Sequence, residues 1–315
     1  MADVKEYTVD EPFLNIGCRL GEAPFWEEST NTLRFVDIVQ EKVHIVDLNK
    51  GASSHVEVPI DISIGTTADL EGEQASGKFV FGGKHGYGVF DRQTAKYHYI
   101  KRYWDGESDQ AEKEHTMRGN DGAVDSHGRF WVGTMCDPKV KSPTDIGVVF
   151  RLDSDLTLHK MIENVSIPNG ISWSKDDKTM YFADSPSKNV YAYDYDAASG
   201  TISNRRVFFH VDDEDGVPDG HALDEEGYMW QCIFGCGKVV RISPEGKVVA
   251  EVSLPTRCVT CPALVGEDLY ITSAEEEEPK KFPDSVKYQG AVFRIHVGVK
   301  GQKLHRFKQE MIKED

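Results

Sequence analysis

Short runs of hydrophobic residues alternate with clusters of turn-forming residues along the chain. Within the runs, β-branched and aromatic residues recur at alternate positions, and helical periodicity is nearly absent. A period of two places successive side chains on opposite faces of a β-strand. The pattern therefore predicts an all-β protein, in which the polar stretch 101–117 is a loop with one short helical turn.

The predicted strands fall into six repeating units. Each unit contains a hairpin of two apolar runs, and the first runs begin near residues 34, 79, 130, 180, 229 and 269. The period is about 40 to 51 residues, which for strand-only content is typical of a β-propeller with about four strands per blade. The sequence thus predicts a six-bladed β-propeller with residues 1–315 as one domain. The orphan strand-like segment 6–9 is expected to close the last blade, 268–295, which would remove an open sheet edge.

The charge and composition narrow the possible partners. The formal charge of −17 disfavours binding to nucleic acid or to anionic lipid. No run approaches the roughly 20 apolar residues of a membrane helix, and residues 1–10 lack the apolar core of a secretory signal. We expect a cytoplasmic protein, a monomer or weak oligomer, that binds a small molecule and neither a membrane nor nucleic acid.

Four of the six cysteines form two closely spaced pairs, Cys232 with Cys236 and Cys258 with Cys261. CxxC is a spacing found in zinc sites, but no further Cys/His pair accompanies these residues at zinc-ribbon distances. We therefore expect reduced thiols that act as small buried hydrophobes.

Four polar residues share one phase of the repeat, about ten to twelve residues before the first strand of a hairpin. They are Glu22, Asn120, Asn169 and Asp219. The strand before each hairpin lines the channel of a propeller, so these residues should form a ring at the channel mouth. Asp and Asn before strands are also ordinary turn residues, and only the shared phase favours a site.

The residue types in this ring suit a hard cation. Glu22 and Asp219 are carboxylates, Asn169 offers an amide oxygen, and an all-oxygen set selects Ca²⁺, Mg²⁺ or Mn²⁺. His221 lies two residues after Asp219 and is expected to be a hydrogen-bonded structural histidine. Arg118 should lie on the same face as Asn120, where it would suit an oxygen-rich ligand or pair with a carboxylate.

Seven motifs occur in order between about residues 15 and 300. They are GEAPFW at 21–26, RGNDGAVD at 118–125, GRFWVGTM at 128–135, PNGISW at 168–173, YFADS at 181–185, ISNRR at 202–206 and PDG at 218–220. As a series they resemble the senescence marker protein-30/gluconolactonase/luciferin-regenerating-enzyme family. The resemblance implies a six-bladed propeller that binds one divalent cation in its channel and hydrolyses sugar lactones.

The resemblance also implies roles for individual residues. Glu22, Asn169 and Asp219 would be metal ligands, Arg118 and Asn120 would contact substrate hydroxyls, and Asp219 would also be the general base. Ca²⁺, Mg²⁺, Mn²⁺, Zn²⁺ and Fe²⁺ all remain candidate cations. The chain departs from the animal members at 136–138, where it reads Cys-Asp-Pro and the family can place a substrate-contacting glutamate. The loop 136–147 is expected to border the mouth and to influence which sugar lactone binds.

The expected reaction is lactone hydrolysis by metal-assisted water attack. The cation would polarise the ring carbonyl, while Asp219 accepts a proton from the water or the metal lowers that water's pKa. A phosphotriesterase-type metal hydrolase is an alternative, because a phosphoryl group needs much the same electrophile. A non-catalytic calcium-binding or scaffold propeller is a third, although a scaffold does not need a ring of Glu, Asn and Asp.

Overall fold

The protein consists mainly of short β-strands that form six small sheets, arranged as the blades of a propeller. The computed structural model describes residues 4–72 and 77–309, and in these residues there are 24 strands. The first strands of the six blades contact one another in a closed circle, so they surround the central channel. The prediction of an all-β, six-bladed propeller is confirmed.

The strands follow the chain outward from the channel in each blade. The N-terminal strand is β1 (Lys5–Thr8). The first blade contains β2 (Gly21–Glu27), β3 (Thr32–Asp37), β4 (Lys42–Asp47) and β5 (Val56–Pro59). The second contains β6 (Ile64–Asp69), β7 (Lys78–Gly83), β8 (Gly86–Asp91) and β9 (Lys96–Arg102). The third contains β10 (Met117–Val124), β11 (Phe130–Cys136), β12 (Gly147–Leu152) and β13 (Leu158–Val165).

The remaining blades have the same arrangement. The fourth contains β14 (Pro168–Trp173), β15 (Thr179–Asp184), β16 (Asn189–Asp196) and β17 (Thr201–His210). The fifth contains β18 (Val217–Leu223), β19 (Met229–Phe234), β20 (Lys238–Ile242) and β21 (Val248–Ser253), and the last contains β22 (Val259–Val265), β23 (Asp268–Ser273) and β24 (Phe293–His296). Within the described ranges, the helical segments are α1 (Gln110–Thr116) and the 3₁₀ turns Ala52–Ser54, Ser185–Ser187 and Pro283–Tyr288. The short helix predicted within 101–117 is thus confirmed.

The N-terminal strand pairs differently from the prediction. β1 runs parallel to β21 at the outer edge of the fifth blade, rather than joining the last blade. The chain then crosses to the last blade, where Leu14 forms an antiparallel bridge with Val292. Tyr7 packs on Trp230 of the fifth blade, with the two ring centroids 6.4 Å apart. The N-terminal segment therefore covers one blade and is tied to the next.

Apolar side chains pack between neighbouring blades. Tyr87 of the second blade contacts Phe130 of the third, and Trp131 of the third contacts Trp173 of the fourth. All six cysteines are free and five are buried, as predicted; Cys236 is partly exposed. In the described part of the chain, no helix is long and apolar enough to cross a membrane.

Each of the six channel-lining strands has a β-bulge at the same height. The register shifts lie between Glu22 and Phe25 in β2 and at the equivalent places in the other five, namely Ile64/Thr66, Gly119/Gly122, Pro168/Ile171, Pro218/His221 and Val259/Pro262. A bulge bends a strand locally and changes the direction of its side chains. The bulge in β2 also places Ala23 at a φ of 49°, in the left-handed region. Six bulges at one height produce one level at which side chains can be directed to the axis.

Gly65 allows the second blade to pack closely against the third. A Cβ atom at this position would lie 2.0 Å from the carbonyl oxygen of Asn120. Since that neighbour is backbone, Gly65→Ala should lower the free energy of unfolding by about 1–3 kcal/mol. Urea-induced unfolding measures the change, and an unaltered midpoint would show that the two blades are not packed in this way.

Candidate functional site

The residues predicted for the site lie at, or just before, the bulges of channel-lining strands. Glu22 directly precedes the bulge of β2, while Asn120, Asn169 and Asp219 occupy the first bulge position of β10, β14 and β18. Arg118 lies two residues before Asn120 on the same strand. All five are more than nine-tenths buried, with exposed fractions of 4–7%. The shared phase in sequence is therefore a shared height in the fold.

Hydrogen bonds join part of this set into a continuous chain around the ring. Arg118 Nη1 donates to Asn120 Oδ1 (2.7 Å), and Asn120 Nδ2 donates to Asn169 Oδ1 (2.9 Å). Asn169 Nδ2 then donates to Ser185 Oγ (2.7 Å), which donates to the carbonyl oxygen of Pro218 (2.7 Å). These hydrogen bonds fix the side-chain amides of Asn120 and Asn169, and the last of them ends at Pro218, the residue before Asp219. Sequence reasoning missed Ser185, although it lies within the YFADS motif.

The two predicted carboxylate ligands repel each other in a buried setting. Burial raises the pKa of Glu22 most, and the charges of Asp219 and Asp121 raise it further. The pKa of Asp219 is likewise raised by burial and then by Asp121. The hydrogen bond from the Ala23 amide to Glu22 Oε2 (3.1 Å) offsets only part of this cost.

Asp121 is a third carboxylate at the ring that the sequence analysis did not assign. It occupies the second bulge position of β10, and burial raises its pKa to about 6. Its Oδ1 accepts a hydrogen bond from the Gly122 amide (2.6 Å). The available signal for Asp121 was its place beside Asn120 in the RGNDGAVD motif. The repeat gave no further signal, because glycines stand at the equivalent positions of β14 and β18.

The loop after β11 brings charge to the side of the ring where Arg118 lies. Burial lowers the pKa of Arg118, although the nearby charges of Asp137 and Glu22 raise it. Asp137 is buried, accepts a hydrogen bond from Lys84 Nζ (2.5 Å) and donates its amide to the Thr116 carbonyl (2.8 Å). The loop 136–147 thus starts beside Arg118. The sequence did not reveal Lys84 of the second blade as the partner of Asp137, because the two residues are distant in sequence.

Both ring nitrogens of His221 have hydrogen-bond partners, as expected for a structural histidine. Its Nε2 is 2.7 Å from Ser172 Oγ and its Nδ1 is 3.1 Å from Gln231 Oε1. Burial lowers the pKa of His221 to about 4, so its imidazole is neutral near pH 7. Gln231 Nε2 also donates to the carbonyl oxygen of Asp219 (3.0 Å), which holds the backbone of β18 in place.

The donor set is compatible with a hard divalent cation. In residues 4–72 and 77–309 no three His, Cys, Asp or Glu side chains are placed to hold a metal, but the predicted set has two carboxylates and an amide. Glu22 and Asp219 are buried, mutually repelling oxygen donors. A divalent cation would neutralise both charges, and carboxylate and amide oxygens are its usual ligands. The residues present therefore fit a divalent cation.

Comparisons with known proteins cover nearly the whole chain. The family described as SMP-30/Gluconolactonase/LRE-like region matches residues 20–275. Regucalcin of Xenopus laevis is 36% identical over 297 residues, which are 90% of this chain and 93% of that protein. The Bacillus subtilis protein YvrE, named as a candidate sugar lactone lactonase, is 29% identical over 286 residues, 90% of this chain and 92% of that protein. The structure of a luciferin-regenerating enzyme has a TM-score of 0.82 at 29% identity, covering 93% of this chain and 96% of that chain.

Proposed function

Because the chain belongs to the SMP-30/gluconolactonase/LRE-like family, we propose that it is a hydrolase that opens the ring of a sugar lactone. One observation carries the proposal: buried, mutually repelling carboxylates and a guanidinium–amide chain meet at one height of one channel. Such a site combines oxygen ligands for a hard cation with donors and acceptors for a polyhydroxylated molecule.

Glu22, Asn169 and Asp219 would hold a single divalent cation at the ring. When bound, the cation would supply an electrophile for the lactone carbonyl and lower the pKa of a water molecule. Asp219 would accept a proton from the attacking water with the carboxylate oxygen that is not used as a ligand. General-base assistance of this kind is typically worth about 10²–10⁴-fold in rate.

Arg118 and Asn120 would bind and orient the substrate. The hydrogen bond between them and the bond from Asn120 to Asn169 hold both groups in fixed directions. Preorganised polar groups lose little conformational freedom on binding, which favours one orientation of the lactone. Asp137, close to Arg118 in the loop 136–147, would limit which ring substituents fit beside the guanidinium.

A substrate panel tests the proposed function. The purified protein, reconstituted separately with each candidate cation, would be assayed on gluconolactone, pentonolactones and deoxysugar lactones, and on organophosphate triesters. We expect cation-dependent turnover of at least one lactone, with little triester hydrolysis. Turnover of triesters alone would indicate a phosphotriesterase. No bound cation by elemental analysis, together with no hydrolysis, would indicate a non-catalytic propeller.

Arg118→Met should weaken substrate binding more than it slows the chemical step. Loss of hydrogen bonds to a charged group costs about 1.5–3 kcal/mol, so KM should rise by about ten- to a hundredfold. The matched control is Arg102→Met, because Arg102 is exposed and pairs with Glu114 away from the ring. If KM is unchanged in Arg118→Met, Arg118 does not contact the substrate.

A further inference from the structure

The channel contains a cavity of about 300 Å³ below the ring, on the side away from the mouth. Its upper end is formed by Ala23, Asp121 and Cys261, which all lie in the bulges of their strands. Small side chains further along the strands, such as Ala68 and Ala222, keep the space open. A cavity of this size holds on the order of ten water molecules. The hydrolysis proposed above does not use it.

A C-terminal strap, residues 300–308, crosses the lower end of the cavity. The Gln302 amide donates to the Leu223 carbonyl (2.8 Å), and its side chain donates to the Trp173 carbonyl (3.2 Å). Further along, the amides of Phe307 and Lys308 donate to carbonyls of the second and third blades. Lys303 and Leu304 line the cavity and are also exposed, so the cavity reaches solvent beside the strap.

The cavity wall is largely apolar, with polar groups at intervals from the ring to the lower face. At the top, Asp121 uses Oδ1 for its own turn, so Oδ2 is the oxygen left for the channel. Ser172 lies midway. At the lower end, Ser126 donates to Asp177 Oδ2, and His305 of the strap completes the wall. Water between these groups would form a continuous hydrogen-bonded path.

Lactone hydrolysis at neutral pH must dispose of a proton. Water adds to the carbonyl carbon, the ring C–O bond breaks, and the resulting hydroxy acid ionises, so each turnover gives one hydroxycarboxylate and one H⁺. We propose that this proton leaves through the cavity to the lower face, while the carboxylate product leaves through the mouth. The inference rests on the proposed function and assigns a role to Asp177 and His305 in it.

Carboxylates lie at both ends of the proposed route. Asp121 at the ring and Asp177 at the lower end line the cavity and attract a proton, whereas the guanidinium of Arg118 on the mouth side repels one. Asp137 and Glu22 partly offset the charge of Arg118, and Lys175 and Lys303 stand at the lower end of the cavity. His305, at the outlet, is faced by the carboxylates of Asp177 and Asp125 and by two strap lysines, Lys303 and Lys308. A partly buried imidazole between carboxylates and solvent can pass a proton outward.

The first test narrows the cavity. Ala222→Leu places a larger side chain in the channel without touching the ring, and Ala222→Ser keeps the space and adds a hydroxyl. The cation-loaded enzymes would be assayed by NMR of lactone loss in weak and in strong imidazole buffer. We expect Ala222→Leu to lower kcat about threefold or more in weak buffer, with KM unchanged and kcat restored by strong buffer.

The second test alters the outlet, and it does not require the protein to fold with a larger side chain inside the channel. His305→Ala should show the same buffer-dependent loss of kcat, while His210→Ala should not, because His210 is exposed at the end of β17, lies with its Nδ1 2.9 Å from Asn189 Oδ1, and does not line the cavity. Equal kcat values for wild type, Ala222→Leu and His305→Ala in weak buffer would overturn the proposal. Losses of kcat that strong buffer does not restore would also overturn it. Absence of lactone turnover by wild type in strong buffer would instead refute the proposed function.

Discussion

Asp219→Asn is expected to reduce kcat for lactone hydrolysis by about 10²–10⁴-fold and to weaken cation binding. Asp219 is buried at the first bulge position of β18, and its carboxylate shares the ring with Glu22. The substitution removes one of the two negative charges that would balance a divalent cation, and it removes the proton acceptor. A pH-stat assay of hydrolysis and elemental analysis of bound metal measure the two effects separately.

A second variant, Asp219→Ala, separates the roles proposed for Asp219. Asp219→Asn keeps an oxygen ligand, whereas Asp219→Ala removes both ligand and base, so a variant that retains the cation but not turnover identifies a base. Asp215→Asn is the matched control, because Asp215 is an exposed acid in the segment that leads into β18. Wild-type turnover by Asp219→Asn would refute the role as base, and wild-type metal content in Asp219→Ala would refute the role as ligand.

The sequence predicted the fold because each blade repeats one local pattern. Hairpins at a period of about 40 to 51 residues give the blade number directly. The ring was predictable for a related reason: Asn120 and Asp219 each precede their hairpins by ten residues, and the structure places both at the first bulge position. Phase in the repeat therefore corresponds to height in the channel.

The remaining features depend on contacts between blades that no repeat encodes. Asp121 has no acidic counterpart at the equivalent positions of β14 and β18, so its phase gave no signal. The ion pair of Lys84 with Asp137 joins residues of two blades that are 53 positions apart. The N-terminal strand could have added to either of two neighbouring edges, and side-chain packing of Tyr7 on Trp230 accompanies the pairing with β21. A local pattern cannot decide between such partners.

Added divalent cation should stabilise the protein more at pH 8 than at pH 5. In the cation-free fold the pKa values of Glu22 and Asp219 are raised, while in the unfolded chain they return to about 4. Above about pH 4 the unfolded state therefore binds fewer protons than the native state, so the free energy of unfolding falls as pH rises. Asp121, with its pKa raised to about 6, contributes a loss of the same sign up to about pH 6. A cation held by these carboxylates would reverse the penalty, whereas at pH 5 protons would compete with it.

Thermal unfolding with and without cation measures this effect. Cation at a hundred times its Kd should add about 2.7 kcal/mol at pH 8, which corresponds to a Tm several degrees higher. Glu22→Gln is the informative variant, because it removes one of the repelling charges. Without cation at pH 8 it should have a higher Tm than wild type, yet lose most of the response to cation. If wild type shows no cation response at pH 8, or Glu22→Gln responds as strongly as wild type, these carboxylates are not the ligands; if both behave as expected, the buried charge at the ring is a cost to stability that the fold retains for binding the cation.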